Sequence, residues 1–187
     1  MALSTIGANQ IASLPTGSVD TAQLASNAVT DAKLASGAIT SAAMPTGSVI
    51  QVVQSTSTTQ YNMAAADTFE DTGYSVTITP RSSSNKILIT FSAFGILLNS
   101  SHIGVQLLRG STVISLNEGL STDPNYWHTP NYGFSYLDGP STTSATTYKI
   151  QARCDTRTSN VEMRFLYASN NIPGDPNMSL IAQEIVG

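Results

Sequence analysis

The ten-residue segment from Asp123 to Tyr132 concentrates the side chains best suited to holding a ligand. It contains the only Trp of the chain, together with two Tyr, a His and two Asn. Sugars present apolar C–H faces and hydroxyl groups, so an aromatic ring beside amide and carboxylate groups suits them, and similar compositions mark binding loops more generally. The segment predicts a carbohydrate-binding or other binding loop, with the candidate contacts Asn125, Tyr126, Trp127, His128, Asn131 and Tyr132. The alternative is that Trp127 packs beneath this segment or between chains.

The residues that commonly carry catalysis do not form a recognisable set. His102 and His128 stand in unlike contexts, and neither has the neighbours of a zinc site. Cys154 is in phase with Ile150 and Ala152 in an alternating run, which favours a small core residue over a nucleophile. We therefore expect no enzymatic activity, no metal ion and no cofactor.

Paired carboxylates provide the one enzymatic alternative, a depolymerase that acts on surface polysaccharide. Two carboxyl groups on either side of a glycosidic bond can cleave it. Glu70 and Asp71 are neighbours in a predicted loop, and Asp123 lies in another. Because nothing in the sequence pairs these groups, the depolymerase is the less favoured hypothesis.

The composition narrows the class of protein. Of the 187 residues, 11% are charged and the net charge is −4, whereas soluble globular domains carry roughly 25% charged residues. The few cations are spread singly, which argues against a nucleic-acid-binding surface. The sequence also has no apolar run long enough for a membrane span and no recognisable secretory signal. With one Cys, it has no intrachain disulfide framework, and we expect synthesis in a reducing cytoplasm.

A ten-residue repeat occupies the first fifty residues. From Gly7 the units read GANQIASLPT, GSVDTAQLAS, NAVTDAKLAS and GAITSAAMPT. Apolar anchors recur every five residues, a period that fits neither a coiled coil nor a simple strand. One unit cannot bury its own anchors, so it must stack on neighbouring units or on other copies of the chain. The predicted shared core contains Leu14, Val19, Leu24, Val29, Leu34, Ile39, Met44 and Val49.

The pattern changes at Val49 to short apolar or alternating runs that are separated by turn residues. This pattern of short strands and turns predicts an all-β sandwich, most simply a jelly roll. The sequence thus divides into a short segment 1–6, an extended repeat 7–48 and a predicted β-sandwich 49–187. The predicted strands are Val49–Gln54, Tyr74–Thr79, Lys86–Leu97, Ile103–Arg109, Thr112–Asn117, Phe134–Leu137, Thr147–Cys154, Val161–Ala168 and Ser179–Ile185.

Several segments resemble the fibre proteins of bacteriophages. The units GSVDTAQLAS and NAVTDAKLAS resemble the shaft repeats of these fibres. The segments VTITPRSSSNKILITFSAFG, DGPSTTSATTYKIQAR and SLIAQEIVG resemble their C-terminal domains. The resemblance covers nearly the whole chain and includes both parts in the same order.

The resemblance implies a homotrimeric tail or head fibre with a head like that of tumour-necrosis-factor-type trimers. Residues 1–6 would be an attachment segment that binds another virion protein in the tail, baseplate or capsid. Residues 7–48 would form the trimeric shaft, and residues 49–187 the head. The head would point away from the particle and contact a glycan or protein of the host surface, without entering the membrane. A decoration or spacer fibre with no specific receptor is the alternative within the same fold.

Overall fold

The computed structural model describes residues 29–30, 34, 39, 43–57, 61–62, 67–93, 97–98, 102–121, 131–154, 163–165 and 178–187. The chain divides into two compact units, Met1–Ala43 and Met44–Gly187. The strands of the described residues all belong to the second unit. Most of the predicted shaft lies outside the described residues.

The residues that the structure describes in the second unit form eleven strands, and alternating side chains explain most of them. Along β9, for example, buried and half-buried residues alternate strictly, as in a strand with one face on a core. The strands are β1 Val49–Ser57, β2 Tyr61–Asn62, β3 Glu70–Ile78, β4 Lys86–Ala93, β5 Leu97–Leu98, β6 His102–Arg109, β7 Thr112–Ser121, β8 Tyr132–Asp138, β9 Thr146–Cys154, β10 Met163–Phe165 and β11 Met178–Ile185.

Two four-stranded antiparallel sheets contain the long strands. Their orders are β1-β11-β4-β8 and β3-β9-β6-β7, and a small third sheet has the order β2-β10-β5. When only the eight long strands are numbered, the two large sheets read 1-8-3-6 and 2-7-4-5, which is the strand order of a jelly roll. The predicted all-β jelly-roll sandwich is therefore confirmed for the head.

The core lies between the two large sheets and is built from the inward-facing rows of five strands. The largest fully buried side chains are Tyr148, Phe91, Ile78, Ile87, Ile89, Leu107 and Ile150. Cys154 is also in this core, as its phase on β9 predicts. The inward row of β11 ends on the fully buried Glu184, which accepts hydrogen bonds from the backbone N–H of Arg81 at 2.6 Å and from Asn85 Nδ2 at 2.7 Å.

Two predicted strands differ from the observed ones in a way that has a physical explanation. The predicted strand Lys86–Leu97 corresponds to two elements in different sheets, since β4 pairs with β11 and β8 while β5 pairs with β10. Glu70 and Asp71, predicted in a loop, begin β3 and pair with β9. Gly73, which suggests a break in the sequence, instead forms a bulge with a φ of +79° inside β3.

The predicted tight hairpin between β6 and β7 is confirmed. Arg109 pairs with Thr112, so only Gly110 and Ser111 form the turn. Gly110 has a φ of +60° at the first turn position, which is the position at which a type II′ hairpin favours glycine. Its N–H donates to the carbonyl of Thr147 at 2.8 Å, and this bond ties the hairpin to β9.

Candidate functional site

The two ends of the sandwich differ, and we call them the near end and the far end. At the near end, β1 begins and β11 ends. The N–H of Gly47, just before β1, donates to the carbonyl of Val186, just after β11, at 2.8 Å. The chain therefore enters the sandwich at this end, because Gly47 and Ser48 immediately precede β1. The connections at the near end are short: 79–85, 110–111 and 139–145.

The far end receives the longer connections. Strand registers place Ser57, Ala93, Tyr132 and Met178 together at the end of one sheet. They place Glu70, His102, Ser121 and Cys154 together at the end of the other. Segments 58–69, 94–101, 122–131 and 155–177 therefore all join strand ends at the far end. The small sheet β2-β10-β5 links three of these four segments.

The predicted binding segment, 123–132, lies in the connection between the end of β7 and the start of β8, and both of these strand ends are at the far end. Asn125, Tyr126, Trp127 and His128 lie outside the described residues. Asn131 is exposed immediately before β8, and Tyr132 is the first residue of that strand. Whether these six side chains form one site stays a prediction.

Tyr132 belongs to an aromatic cluster at the rim of the core. Its ring centroid lies 6.4 Å from that of Phe91 and 6.3 Å from that of Phe134, in tilted and edge-on arrangements. Burial raises the pKa of the Tyr132 phenol above its usual value of 10.0. Tyr132 is partly buried and packs against the core.

The apolar anchors of the repeat that the structure describes are exposed in the single chain. Val29, Leu34, Ile39, Met44 and Val49 have between 38% and 56% of their surface accessible. Leu14, Val19 and Leu24 lie outside the described residues. Single exposed apolar residues are ordinary, and burial of this series against other chains stays a prediction.

A polar network that joins the two sheets lies close to the near end. The sequence analysis did not identify it. Arg109 Nη1 donates to both carboxylate oxygens of Asp138 at 3.0 Å, and the Tyr148 hydroxyl donates to Asp138 Oδ2 at 2.7 Å. Asp138 comes from β8 in one sheet, whereas Arg109 and Tyr148 come from β6 and β9 in the other. Burial and the Asp138 carboxylate raise the pKa of Tyr148 well above 10.0, although Arg109 partly opposes this shift.

The outer surface of the sheet β1-β11-β4-β8, which we call the neutral face, carries no charged side chain over three complete rows. Residues that pair across neighbouring strands share a face, and the other face of this sheet is the core. Each row crosses all four strands. The rows are Val52, Gln183, Leu88 and Leu137; Gln54, Ile181, Thr90 and Ser135; and Thr56, Ser179, Ser92 and Gly133.

The outer surface of the opposite sheet, the charged face, has a different chemistry. Lys149 Nζ lies 2.7 Å from Asp71 Oδ2, and Arg153 Nη1 lies 3.1 Å from Asp67 Oδ1. The Arg153 guanidinium also stacks over the Phe69 ring at 5.2 Å. The two outer faces therefore differ in charge.

The part of the chain that the structure describes contains no group of three or more residues placed to hold a metal ion. Within the same residues, no helix has the length and apolar character needed to cross a membrane.

No protein-family model matches the chain, and no curated protein matches it. Among solved structures, a structure of the infectious bursal disease virus Gx strain is similar, with a TM-score of 0.32 and 14% identity over 73% of this chain. The match covers 36% of that chain. The extra small virus (XSV) VLP of the giant freshwater prawn Macrobrachium rosenbergii is similar with a TM-score of 0.19 and 16% identity, over 71% of this chain and 81% of that chain. Similarity at this level carries no argument about the function of this chain.

Proposed function

We propose that this chain is a bacteriophage fibre protein, a homotrimer on the exterior of the virion whose head contacts the host surface. The repeat would hold three copies together, and its N-terminal end would bind another virion protein of the tail, baseplate or capsid. The chain would assemble in the host cytoplasm and act without enzymatic chemistry.

The polarity of the head is the observation that carries this proposal. The chain enters the head at the near end, just before β1, whereas the four longer connections and the predicted binding segment join strands at the far end. A fibre needs this arrangement, because the end that holds the particle must not be the end that meets the host. Three heads side by side would also offer three equivalent sites, which raises avidity without tight single contacts.

Exposed anchors support the trimeric part of the proposal. An apolar series of this kind is stable in water only when it is covered, and three chains around one axis allow each repeat to bury its anchors against the others. The low proportion of charged residues agrees with a chain that buries much of its surface in assembly.

The mass of the full-length protein in solution tests the assembly. We expect light scattering after size exclusion to give about three times the 19.6 kDa of one chain.

The variant Leu24→Asp/Leu34→Asp places charges in the predicted shaft core, where unpaired charge is strongly unfavourable. It should increase protease cleavage within residues 7–48 and leave the β-sheet circular dichroism of the head unchanged. The matched substitution Gln23→Asp/Lys33→Asp, next to the same anchors, should have little effect. A wild-type mass near 19.6 kDa would contradict the trimer.

Trp127→Ala tests receptor binding through the far end. We expect at least tenfold weaker binding of the labelled protein to those bacterial cells, in a panel of strains, that the wild type binds. The melting temperature should stay within about 1 °C, because a ligand-contacting side chain contributes little to folding. Val113→Ala, an exposed position of the near-end hairpin, is the control and should bind as the wild type does. Unchanged binding of the Trp127 variant would favour a decoration or spacer fibre, and a large fall in its melting temperature would show that Trp127 packs in the fold.

A further inference from the structure

Residues 67–69, which we call the strap, lie on the charged face at the far end, just before β3 begins. The backbone N–H of Asp67 donates to the carbonyl of Cys154 at 2.7 Å, and Asp67 Oδ1 lies 3.1 Å from Arg153 Nη1. Asp67 has a φ of +58°, a left-handed conformation that aspartate adopts more readily than most residues. These contacts hold the strap at the end of β9.

Phe69 of the strap reaches past β9 to the next strand of the sheet, where a glycine makes room for its ring. A Cβ atom built on Gly104 of β6 would lie 3.0 Å from Phe69 Cζ and 3.1 Å from Arg153 Cγ. The Arg153 guanidinium lies over the same ring, 5.2 Å from its centroid, which is within the range of a cation–π interaction. The ring therefore packs against the bare backbone of Gly104, which we call the seat, and against the Arg153 side chain.

The strand itself does not require a glycine at the seat. Gly104 pairs with Arg153 on one side and with Glu118 on the other, and its φ lies outside the left-handed region. Glycine weakens a strand, and it often marks a position where another group approaches the backbone closely. A β-branched residue would suit the strand better. The space that Phe69 occupies is therefore the physical reason for the glycine.

A second contact holds the same connection, 58–69, nearer to its start. The Tyr61 hydroxyl in β2 donates to Glu70 Oε2 at the start of β3 at 2.7 Å, and Tyr61 also packs against the core. Strand β2 pairs with β10, which in turn pairs with β5. The connection 58–69 thus joins the small sheet to the sandwich through both Tyr61 and the strap.

The seat lies close to the point at which the predicted binding segment leaves the sheet. Gly104 is two residues from His102, and His102 pairs with Ser121, the last residue of β7. At ~3.3 Å per residue, the seat is about 7 Å from this strand end. The strap therefore brings the connection 58–69 to the corner of the far end where the connection 122–131 begins.

We infer that Gly104 and Phe69 are positioning residues, which fix the connection 58–69 and the small sheet beside the start of the predicted binding segment. The far end then meets the host ligand as a preformed surface, and preorganisation lowers the cost of ordering on binding. The consequence for binding rests on the proposed receptor contact, whereas the docking of the strap concerns the head alone.

Amide hydrogen exchange of the full-length chain, measured on peptides from residues 63–71, tests the seat. Gly104→Val fills the space of the ring while favouring the strand, and Phe69→Ala removes the ring. We expect the strap to exchange at least tenfold faster in each variant than in the wild type, while β4 and β11 stay protected. Leu116→Val, at an exposed position of the charged face, is the control and should exchange as the wild type does.

The double variant shows whether Gly104 acts through Phe69. In the wild-type background, Gly104→Val should lower the melting temperature by about 3 °C, because it overpacks the site. In the Phe69→Ala background it should leave the melting temperature unchanged or raise it, because no ring is displaced and valine favours the strand. Equal falls in both backgrounds would overturn the seat. Wild-type exchange of the strap in Phe69→Ala would also overturn it, even if Gly104→Val did not fold.

Binding of the labelled proteins to bacterial cells, well below every melting temperature, tests the positioning role. For strains that the wild type binds, we expect Gly104→Val and Phe69→Ala to weaken binding at least fivefold and Leu116→Val to leave it unchanged. Faster exchange of the strap with unchanged binding would overturn the positioning role and leave the docked strap standing. A wild type that binds no strain would overturn the receptor contact and the positioning role together, whereas exchange and melting temperatures would still decide whether the strap is docked.

Discussion

Replacing Asp138 with alanine should lower the free energy of unfolding of the head by about 3 kcal/mol, the lower part of the range for breaking a buried charged pair. The variant leaves the hydroxyl of the buried Tyr148 and the Arg109 guanidinium without their shared acceptor. The carboxylate is largely shielded, with 8% of its side chain accessible, whereas Arg109 is 34% accessible and can be partly rehydrated. For this reason we expect an effect below the upper end of that range.

Asp71→Ala is the matched control for this experiment. Asp71 lies only 2.7 Å from Lys149, but 48% of its side chain is accessible, so water screens the pair. Exposed pairs of this kind contribute roughly 0–1 kcal/mol. Urea unfolding of both variants at neutral pH compares them. Equal losses for Asp138→Ala and Asp71→Ala would mean that the network between the two sheets does not stabilise the sandwich more than a surface pair does.

The second large effect is unfolding of the head in alkali. Burial raises the pKa of Tyr74 to about 12, and burial together with the Asp138 carboxylate raises the pKa of Tyr148 still further. In the unfolded chain both phenols lose their protons near pH 10. Above that pH the unfolded state binds fewer protons than the folded state, so rising pH favours unfolding.

The contribution of these two residues to stability is therefore complete below pH 10 and is lost as the pH rises toward the folded pKa values. Each phenol that stays protonated in the folded state adds a slope of about 1.4 kcal/mol per pH unit. We expect the free energy of unfolding, measured in urea at fixed ionic strength, to fall steeply between pH 10 and pH 12. Removing one of the titrating groups with Tyr74→Phe or Tyr148→Phe should reduce the slope by about 1.4 kcal/mol per pH unit. An unfolding free energy that stays constant over this range would contradict the burial of both phenols.

Residue patterns alone predicted the strands that have one face on the core. In β9 the residues Tyr148, Ile150, Ala152 and Cys154 recur every second position, and each one is buried in the structure. This period is a local property of a strand at the surface of a core, so it is visible without the rest of the chain. The hairpin at Gly110 could be predicted for a similar reason, because a two-residue turn depends mainly on the conformation of one glycine.

Local patterns did not predict the burial of a side chain or the start of a strand when these depend on contacts with residues distant in sequence. Glu184 continues the inward row of β11 and is fully buried, although a glutamate in a strand normally indicates the solvent side. Its burial depends on Arg81 and Asn85, which approach from a connection about a hundred residues earlier in the chain. The predicted strand likewise begins only at Tyr74, and only pairing with β9 shows that β3 begins at Glu70.

The same distinction applies to the candidate sites. The aromatic segment and the apolar anchors are contiguous or periodic, so residue types and spacing were enough to predict them. The neutral face is assembled from β1, β4, β8 and β11, which lie far apart in the chain and become neighbours only in the jelly-roll order. The absence of charge from the outward residues of any one of these strands is expected in a chain with 11% charged residues.

The sequence by itself thus determined the fold class, the repeat and the composition of the predicted binding segment, because each depends on residues near one another in the chain. Only the tertiary structure decided the polarity between the near and far ends, the Asp138 network and the location of the neutral face. These three features depend on strand order and register, which are fixed when distant strands bury their inward rows against each other.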